Sequence, residues 1–120
     1  MRSILFFGLL LVGVGGCYFD VESTLYPEAS CVPVSSPTYS VDVVPLLNTY
    51  CNSCHSGDFA SAGVRLDGYN YVKTYVDNKK LMGSINWSSG FSPMPKDASK
   101  LNACTTDKIN QWILSGALNN

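Results

Sequence analysis

One pentapeptide, Cys51-Asn52-Ser53-Cys54-His55, constrains this chain more than any other feature of its sequence. Its two thiols lie three positions apart, and an imidazole follows the second thiol directly. Over one tight turn the two sulfurs face the same way, so each can add to one vinyl group of a porphyrin while the imidazole turns toward the iron. The pentapeptide therefore predicts one covalently attached haem (haem c), bonded through Cys51 and Cys54 and ligated by His55.

Two other uses of a pair of nearby cysteines fit the sequence poorly. A structural zinc site needs four ligands, whereas the other cysteines are widely scattered and His55 is the only histidine. A thioredoxin-type redox pair normally lies in a βαβ unit, and the sequence shows no such alternation of strands and helices. Haem attachment is the interpretation that remains.

A methionine is the candidate for the second axial ligand of the iron. Because the chain has one histidine, it cannot supply a second imidazole, and a thioether is the usual partner in cytochromes c. Met94 and Met82 compete for this role. Met94 lies between Pro93 and Pro95, which restrict the backbone on both sides and suit a rigid ligand loop. Met82 lies in an apolar segment, where methionine more often fills a core.

The N-terminus has the pattern of an export signal. A short basic start is followed by an apolar run over residues 4–14, which is shorter than the roughly 20 residues that span a bilayer. Residues 1–16 are therefore predicted to be a signal peptide. Val14-Gly15-Gly16-Cys17 resembles a bacterial lipobox, which predicts lipidation of Cys17; an ordinary secretory signal that leaves Cys17 as a free thiol is the alternative.

The remaining cysteines, Cys31 and Cys104, can pair with each other. Export permits a disulfide, and joining residues so far apart could stabilise the fold by about 4 kcal/mol in the chain-entropy model. Two unrelated buried thiols are the alternative. A Pro- and Ser-rich tether over residues 17–39 would connect the lipid to a single domain over residues 40–120.

Apolar spacing predicts several short helices in that domain. The first covers Val41 to Tyr50, with Ser40 or Asp42 as a cap and Pro45 in its first turn. Two more are expected over residues 69–77 and 79–86. The last is expected to begin at a Thr105 or Thr106 cap and to end at Gly116.

The order of a helix, the pentapeptide, the Ser92-Pro93-Met94-Pro95 loop and a closing helix with Trp112-Ile113 and Gly116-Ala117 resembles the small monohaem c-type cytochrome family. The resemblance covers about residues 40–116. It implies the all-α cytochrome c fold, with three to five short helices around one haem and crossing N- and C-terminal helices. The signal and tether resemble those of cytochrome lipoproteins of the Bacteroidetes type.

These features together predict a membrane-tethered one-electron carrier of the bacterial cell envelope that is not an enzyme and has no catalytic residues. The alternatives are a haem sensor or peroxidase-like protein with a displaceable methionine ligand, or a docking subunit of a larger respiratory complex. The expected partners are redox proteins of the envelope respiratory chain and the membrane, and no nucleic acid. Basic residues concentrate after position 64, and four of them could steer an acidic partner or merely be solvated: Lys79, Lys80, Lys96 and Lys100.

Overall fold

The computed structural model describes residues 32–120, which contain helices and turns and no β-strand. A π-helical turn at Tyr39–Val43 runs directly into α1 (Val44–Tyr50). A 3-10 turn at Ser61–Gly63 precedes α2 (Tyr69–Asp77), α3 (Lys80–Ile85) and α4 (Ala103–Leu114). The described domain is therefore helical, as predicted.

Residues 1–31 lie outside the described residues, so the predictions for the signal peptide, for Cys17 and for Cys31 fall outside them as well. The same holds for most of the predicted tether. Within residues 32–120, no helix is long and apolar enough to cross a membrane.

The first helical segment begins two residues earlier than predicted, at Tyr39, and neither Ser40 nor Asp42 is its cap. Thr38 is the cap residue. The Asp42 carboxylate reaches back to it and accepts hydrogen bonds from the Thr38 backbone N–H at 2.8 Å and from the Thr38 hydroxyl at 3.2 Å. Pro45 lies in the first turn of α1, as predicted, where its missing N–H leaves no helical bond unmade.

The cap of α4 was also predicted at the wrong residue. The Asn102 side chain caps the helix, because its Oδ1 accepts a hydrogen bond from the Thr105 N–H at 2.8 Å. Thr105 and Thr106 lie inside the first turn and are buried. An asparagine at this position satisfies one of the first N–H groups of the helix, which have no partner within it.

Gly116 ends α4, as predicted. It adopts a left-handed conformation with φ +101°, and its N–H donates to the Ile113 carbonyl at 3.0 Å. The next N–H, of Ala117, donates to the Trp112 carbonyl at 3.0 Å. These two bonds form the Schellman motif that closes many helices.

The two ends of the described domain meet in its core. The ring centroids of Tyr39 and Trp112 are 5.4 Å apart. The backbone N–H groups of Tyr39 and Ser40 donate to the side-chain and backbone oxygens of Asn120, each at 2.9 Å. This contact joins the start of the first helix to α4, and around it lie the other buried apolar residues: Val43, Leu47, Leu66, Val72, Leu81, Ile85, Leu101, Ile109 and Ala117.

Gly83 permits a close contact between α3 and the loop that follows it. A Cβ atom built on Gly83 would lie 2.5 Å from Cγ of the Phe91 side chain. Real Cβ atoms do not approach a ring this closely. The Phe91 ring therefore lies directly on the helix backbone, and the loop that carries Met94 is folded back onto α3.

We expect Gly83→Ala to lower the free energy of unfolding by about 1–3 kcal/mol, because the new methyl group would displace the Phe91 ring. In an open helix the same change stabilises by about 1 kcal/mol, so the sign of the effect tests the contact. Urea unfolding of the matured protein measures it. In a Phe91→Ala background, alanine at position 83 should recover its helical advantage; a destabilisation that persists there would contradict the contact.

Candidate functional site

The pentapeptide forms one further hydrogen-bonded turn at the end of α1. The Cys51 N–H donates to the Leu47 carbonyl at 2.9 Å, which continues the helical pattern. The N–H groups of Cys54 and His55 both donate to the Cys51 carbonyl, at 3.1 and 3.0 Å. Cys51, Cys54 and His55 are thus held on one tight turn, as the spacing of the residues predicts.

Both thiols of the pentapeptide are free. Cys51 packs half-buried against the hydrophobic core, and burial raises the pKa of its thiol to about 11. Cys54 is exposed.

No group of three or more His, Cys, Asp or Glu side chains that could hold a metal ion occurs among residues 32–120. Within the pentapeptide, the side-chain oxygen Oδ1 of Asn52 is buried and has no hydrogen-bond partner. The side-chain nitrogen of the same residue donates a hydrogen bond to the Asn48 side chain at 2.7 Å.

The His55 imidazole is oriented by a backbone carbonyl. Its Nδ1 lies 3.0 Å from the Val64 carbonyl oxygen. A carbonyl oxygen can only accept a hydrogen bond, so Nδ1 carries the proton. In the neutral imidazole this leaves the lone pair on Nε2 free to bind a metal, and the hydrogen bond fixes the direction of the ring.

The loop after the pentapeptide is folded back along it. The Ser61 N–H donates to the Cys54 carbonyl at 2.9 Å, and the Leu66 N–H donates to the His55 carbonyl at 2.7 Å. Leu66 is also buried in the core. These bonds fix the loop on both sides of Val64, so the carbonyl that orients His55 is itself held in position.

An ion pair closes the base of the same loop. The Arg65 guanidinium donates to both carboxylate oxygens of Asp67, at 3.0 and 2.9 Å, and lies 4.3 Å from the centroid of the Tyr71 ring. Asp67 also accepts a hydrogen bond from the Gly57 N–H at 2.9 Å. The hydrogen bonds from Arg65 and from Gly57 lower the pKa of the Asp67 carboxyl to about 2.

We expect Asp67→Asn to destabilise the protein at neutral pH. The pKa of Asp67 is below its ordinary value of 3.8, so its contribution to stability is complete above about pH 4 and is lost as the pH falls through about 2. The difference in urea midpoint between the wild type and this variant should therefore shrink over that range. Asp58→Asn is the matched control, because its exposed carboxylate lies 3.5 Å from Arg65. Equal effects of the two substitutions would contradict the role of Asp67.

The Met94 loop is held through the backbone of Met94. Its N–H donates to the Ser84 carbonyl at 3.1 Å, and its carbonyl accepts a hydrogen bond from the Trp87 indole N–H at 2.8 Å. The Met94 side chain is half-buried. Met82, in α3, packs partly buried against the hydrophobic core, the setting expected of a residue that fills space.

The structure also describes Cys104 and the four lysines that were predicted to steer a partner. Cys104 is disulfide-bonded, and its partner lies outside the described residues, so the Cys31–Cys104 pairing stays a prediction. The four lysines predicted to steer a partner are exposed and form no ion pair within residues 32–120: Lys79, Lys80, Lys96 and Lys100.

No protein-family model matches the chain, and neither a curated protein nor a solved structure does. A functional assignment therefore depends on the pentapeptide and on the side chains that surround it.

Proposed function

We propose that this chain is a lipid-anchored c-type cytochrome that transfers one electron at a time in the bacterial cell envelope. Cys51 and Cys54 would hold the haem through two thioether bonds, and Nε2 of His55 would bind the iron. The observation that carries this proposal is the hydrogen bond from His55 Nδ1 to the Val64 carbonyl at 3.0 Å. Such a bond selects the tautomer that a metal requires and makes the metal-binding nitrogen more basic.

The donor set fits this cofactor. Two free thiols and an imidazole with an available nitrogen lie on one turn, and the Cys51 side chain packs against the hydrophobic core. When bound, the haem supplies the one-electron couple of its iron. The protein would supply the attachment through Cys51 and Cys54 and the orientation of the His55 imidazole.

Met94 is the proposed second ligand of the iron. Its backbone is tied to Ser84 on one side and to Trp87 on the other, so its side chain is presented from a fixed loop. A thioether is uncharged and favours reduced iron, which raises the reduction potential. With His55 and Met94 as its two ligands, the iron would keep the same coordination in both oxidation states, and little rearrangement would then accompany electron transfer.

We also propose that the described helices form the cytochrome c fold. The contact between the first helical segment and α4, which Tyr39, Trp112 and Asn120 make, supports this proposal. Lipidation of Cys17 would tether the domain to a membrane. The exposed lysines after position 64 would meet an acidic redox protein of the envelope respiratory chain, an attraction that salt would weaken.

The visible and near-infrared spectrum of the matured protein tests the function in both oxidation states. We expect low-spin spectra in both states and a weak sulfur-to-iron band in the oxidised protein. High-spin oxidised iron, or rapid binding of carbon monoxide to the reduced protein, would contradict the carrier and would favour a sensor or a peroxidase-like protein. Purification from native membranes as a fixed complex would favour a docking subunit.

A further inference from the structure

Trp87 occupies a position at the end of α3 where glycine is ordinarily favoured. Its backbone is left-handed, with φ +57°. Its N–H donates to the Ser84 carbonyl at 3.1 Å, and the Ser88 N–H donates to the Gly83 carbonyl at 2.9 Å. This is the Schellman pattern, and a residue with a Cβ atom costs free energy at its left-handed position.

The same motif closes α4, where the corresponding residue is Gly116. The left-handed residue after α4 is therefore a glycine, whereas the left-handed residue after α3 is a tryptophan. Trp87 is 43% exposed, so burial of its ring does not explain the choice. The contacts of the Trp87 side chain give a different reason for a tryptophan at this position.

The Trp87 indole forms a bond that glycine cannot form. Its N–H donates to the Met94 carbonyl at 2.8 Å, and the Met94 N–H donates to the Ser84 carbonyl at 3.1 Å. Ser84 is the same residue whose carbonyl accepts from the Trp87 backbone. The end of α3 and the proposed iron ligand are thus joined through one side chain and one shared carbonyl.

We infer that Trp87 is a positioning residue that holds Met94 on the iron and raises the free-energy cost of opening its loop. This inference rests on the proposed function, because it assigns Trp87 a role toward the proposed ligand. An exogenous ligand can reach the iron only when Met94 moves away, and the indole bond resists that movement. Loss of the bond therefore strengthens the apparent binding of the exogenous ligand.

Titration of the oxidised, matured protein with imidazole measures this cost. Trp87→Phe keeps a ring but removes the N–H, and we expect imidazole to bind roughly 3- to 10-fold more tightly, the size of one net hydrogen bond. The matched control is Trp112→Phe, which removes an indole bond to the Leu118 carbonyl at 2.9 Å in the core. We expect the control to lower the unfolding midpoint and to leave the imidazole affinity unchanged.

Trp87→Gly separates positioning from general stability. Glycine suits the left-handed backbone, so this variant should unfold at the same urea concentration as the wild type or a higher one, yet it should bind imidazole more tightly. A purely structural tryptophan cannot produce both results. Unchanged imidazole affinity in both Trp87 variants would overturn the inference about Trp87. The proposed function would still stand in that case if the wild type shows the sulfur-to-iron band.

Amide hydrogen exchange at Met94 tests the same bond without relying on the iron. The Met94 N–H should exchange faster in Trp87→Phe than in the wild type or in Trp112→Phe, because the loop opens more often. Faster exchange would show that the indole bond holds the Met94 loop, whether or not Met94 binds the iron. Absence of the sulfur-to-iron band in the wild type would instead refute Met94 as the second ligand and, with it, the proposed function. Equal exchange rates in the wild type and in Trp87→Phe would overturn the inference.

Discussion

Replacement of both Cys51 and Cys54 by serine is expected to abolish covalent haem attachment. A serine hydroxyl has nearly the shape of a thiol but does not form the thioether bond to a vinyl group. His55 and its hydrogen bond to Val64 remain in this variant, so it can still bind haem reversibly. Acid-acetone extraction of the matured protein distinguishes the two modes, since only non-covalent haem enters the solvent.

The single variants and a neighbouring residue provide the controls. Cys51→Ser and Cys54→Ser should each retain at most one thioether bond. Ser53→Ala changes an exposed residue between the two cysteines and should keep the wild-type attachment. Colour that stays with the polypeptide after extraction of the double variant would contradict the assignment of these two cysteines.

Replacement of Met94 by alanine is expected to abolish the sulfur-to-iron band and to lower the reduction potential on the order of 0.1 V or more, within the range of about 0.8 V that axial ligands span. The reason is that water or an added ligand would take the sixth position and favour oxidised iron more than a thioether does. Potentiometric titration followed by visible absorbance measures the change.

Met82→Leu is the matched control for Met94. Met82 packs against the hydrophobic core, and a change of similar volume there should cost less than about 1.5 kcal/mol. Its band and potential should therefore equal those of the wild type. If Met82→Leu removed the band and Met94→Ala kept it, the two methionines would exchange their assigned roles.

Helix positions followed from the sequence more accurately than helix caps did. The apolar spacing predicted α2 at its observed bounds, Tyr69–Asp77. The cap of α4 was predicted at a threonine because Thr105 and Thr106 are good capping residues, but so is Asn102. Several capping residues lie close together here, and sequence alone does not choose among them; in the structure Asn102 makes the cap bond and both threonines are buried inside the first turn.

The pentapeptide could be recognised from its sequence, whereas the groups that orient it could not. The partner of His55 is a backbone carbonyl, and any residue could have supplied it. Arg65 and Asp67 are two positions apart and pair only because the loop brings their side chains together. Such contacts depend on the path of the loop, and the loop sequence has no periodic pattern from which that path could be predicted.

Trp87 was missed for a different reason. A left-handed position at a helix end predicts glycine, so a sequence-based search for helix ends passes over a tryptophan. The available signal was a single tryptophan just before a loop with two prolines and the candidate ligand Met94. The acceptor of its indole N–H is the backbone carbonyl of Met94, which any residue at that position could have supplied.

The intact mass of the denatured protein, produced in a host that attaches haem to exported proteins, tests the central claim most directly. We predict a mass equal to that of the mature polypeptide with its N-terminal modification plus one haem, and the haem should remain after acid-acetone extraction. A polypeptide mass without haem, from a host that matures a known c-type cytochrome in parallel, would contradict the account.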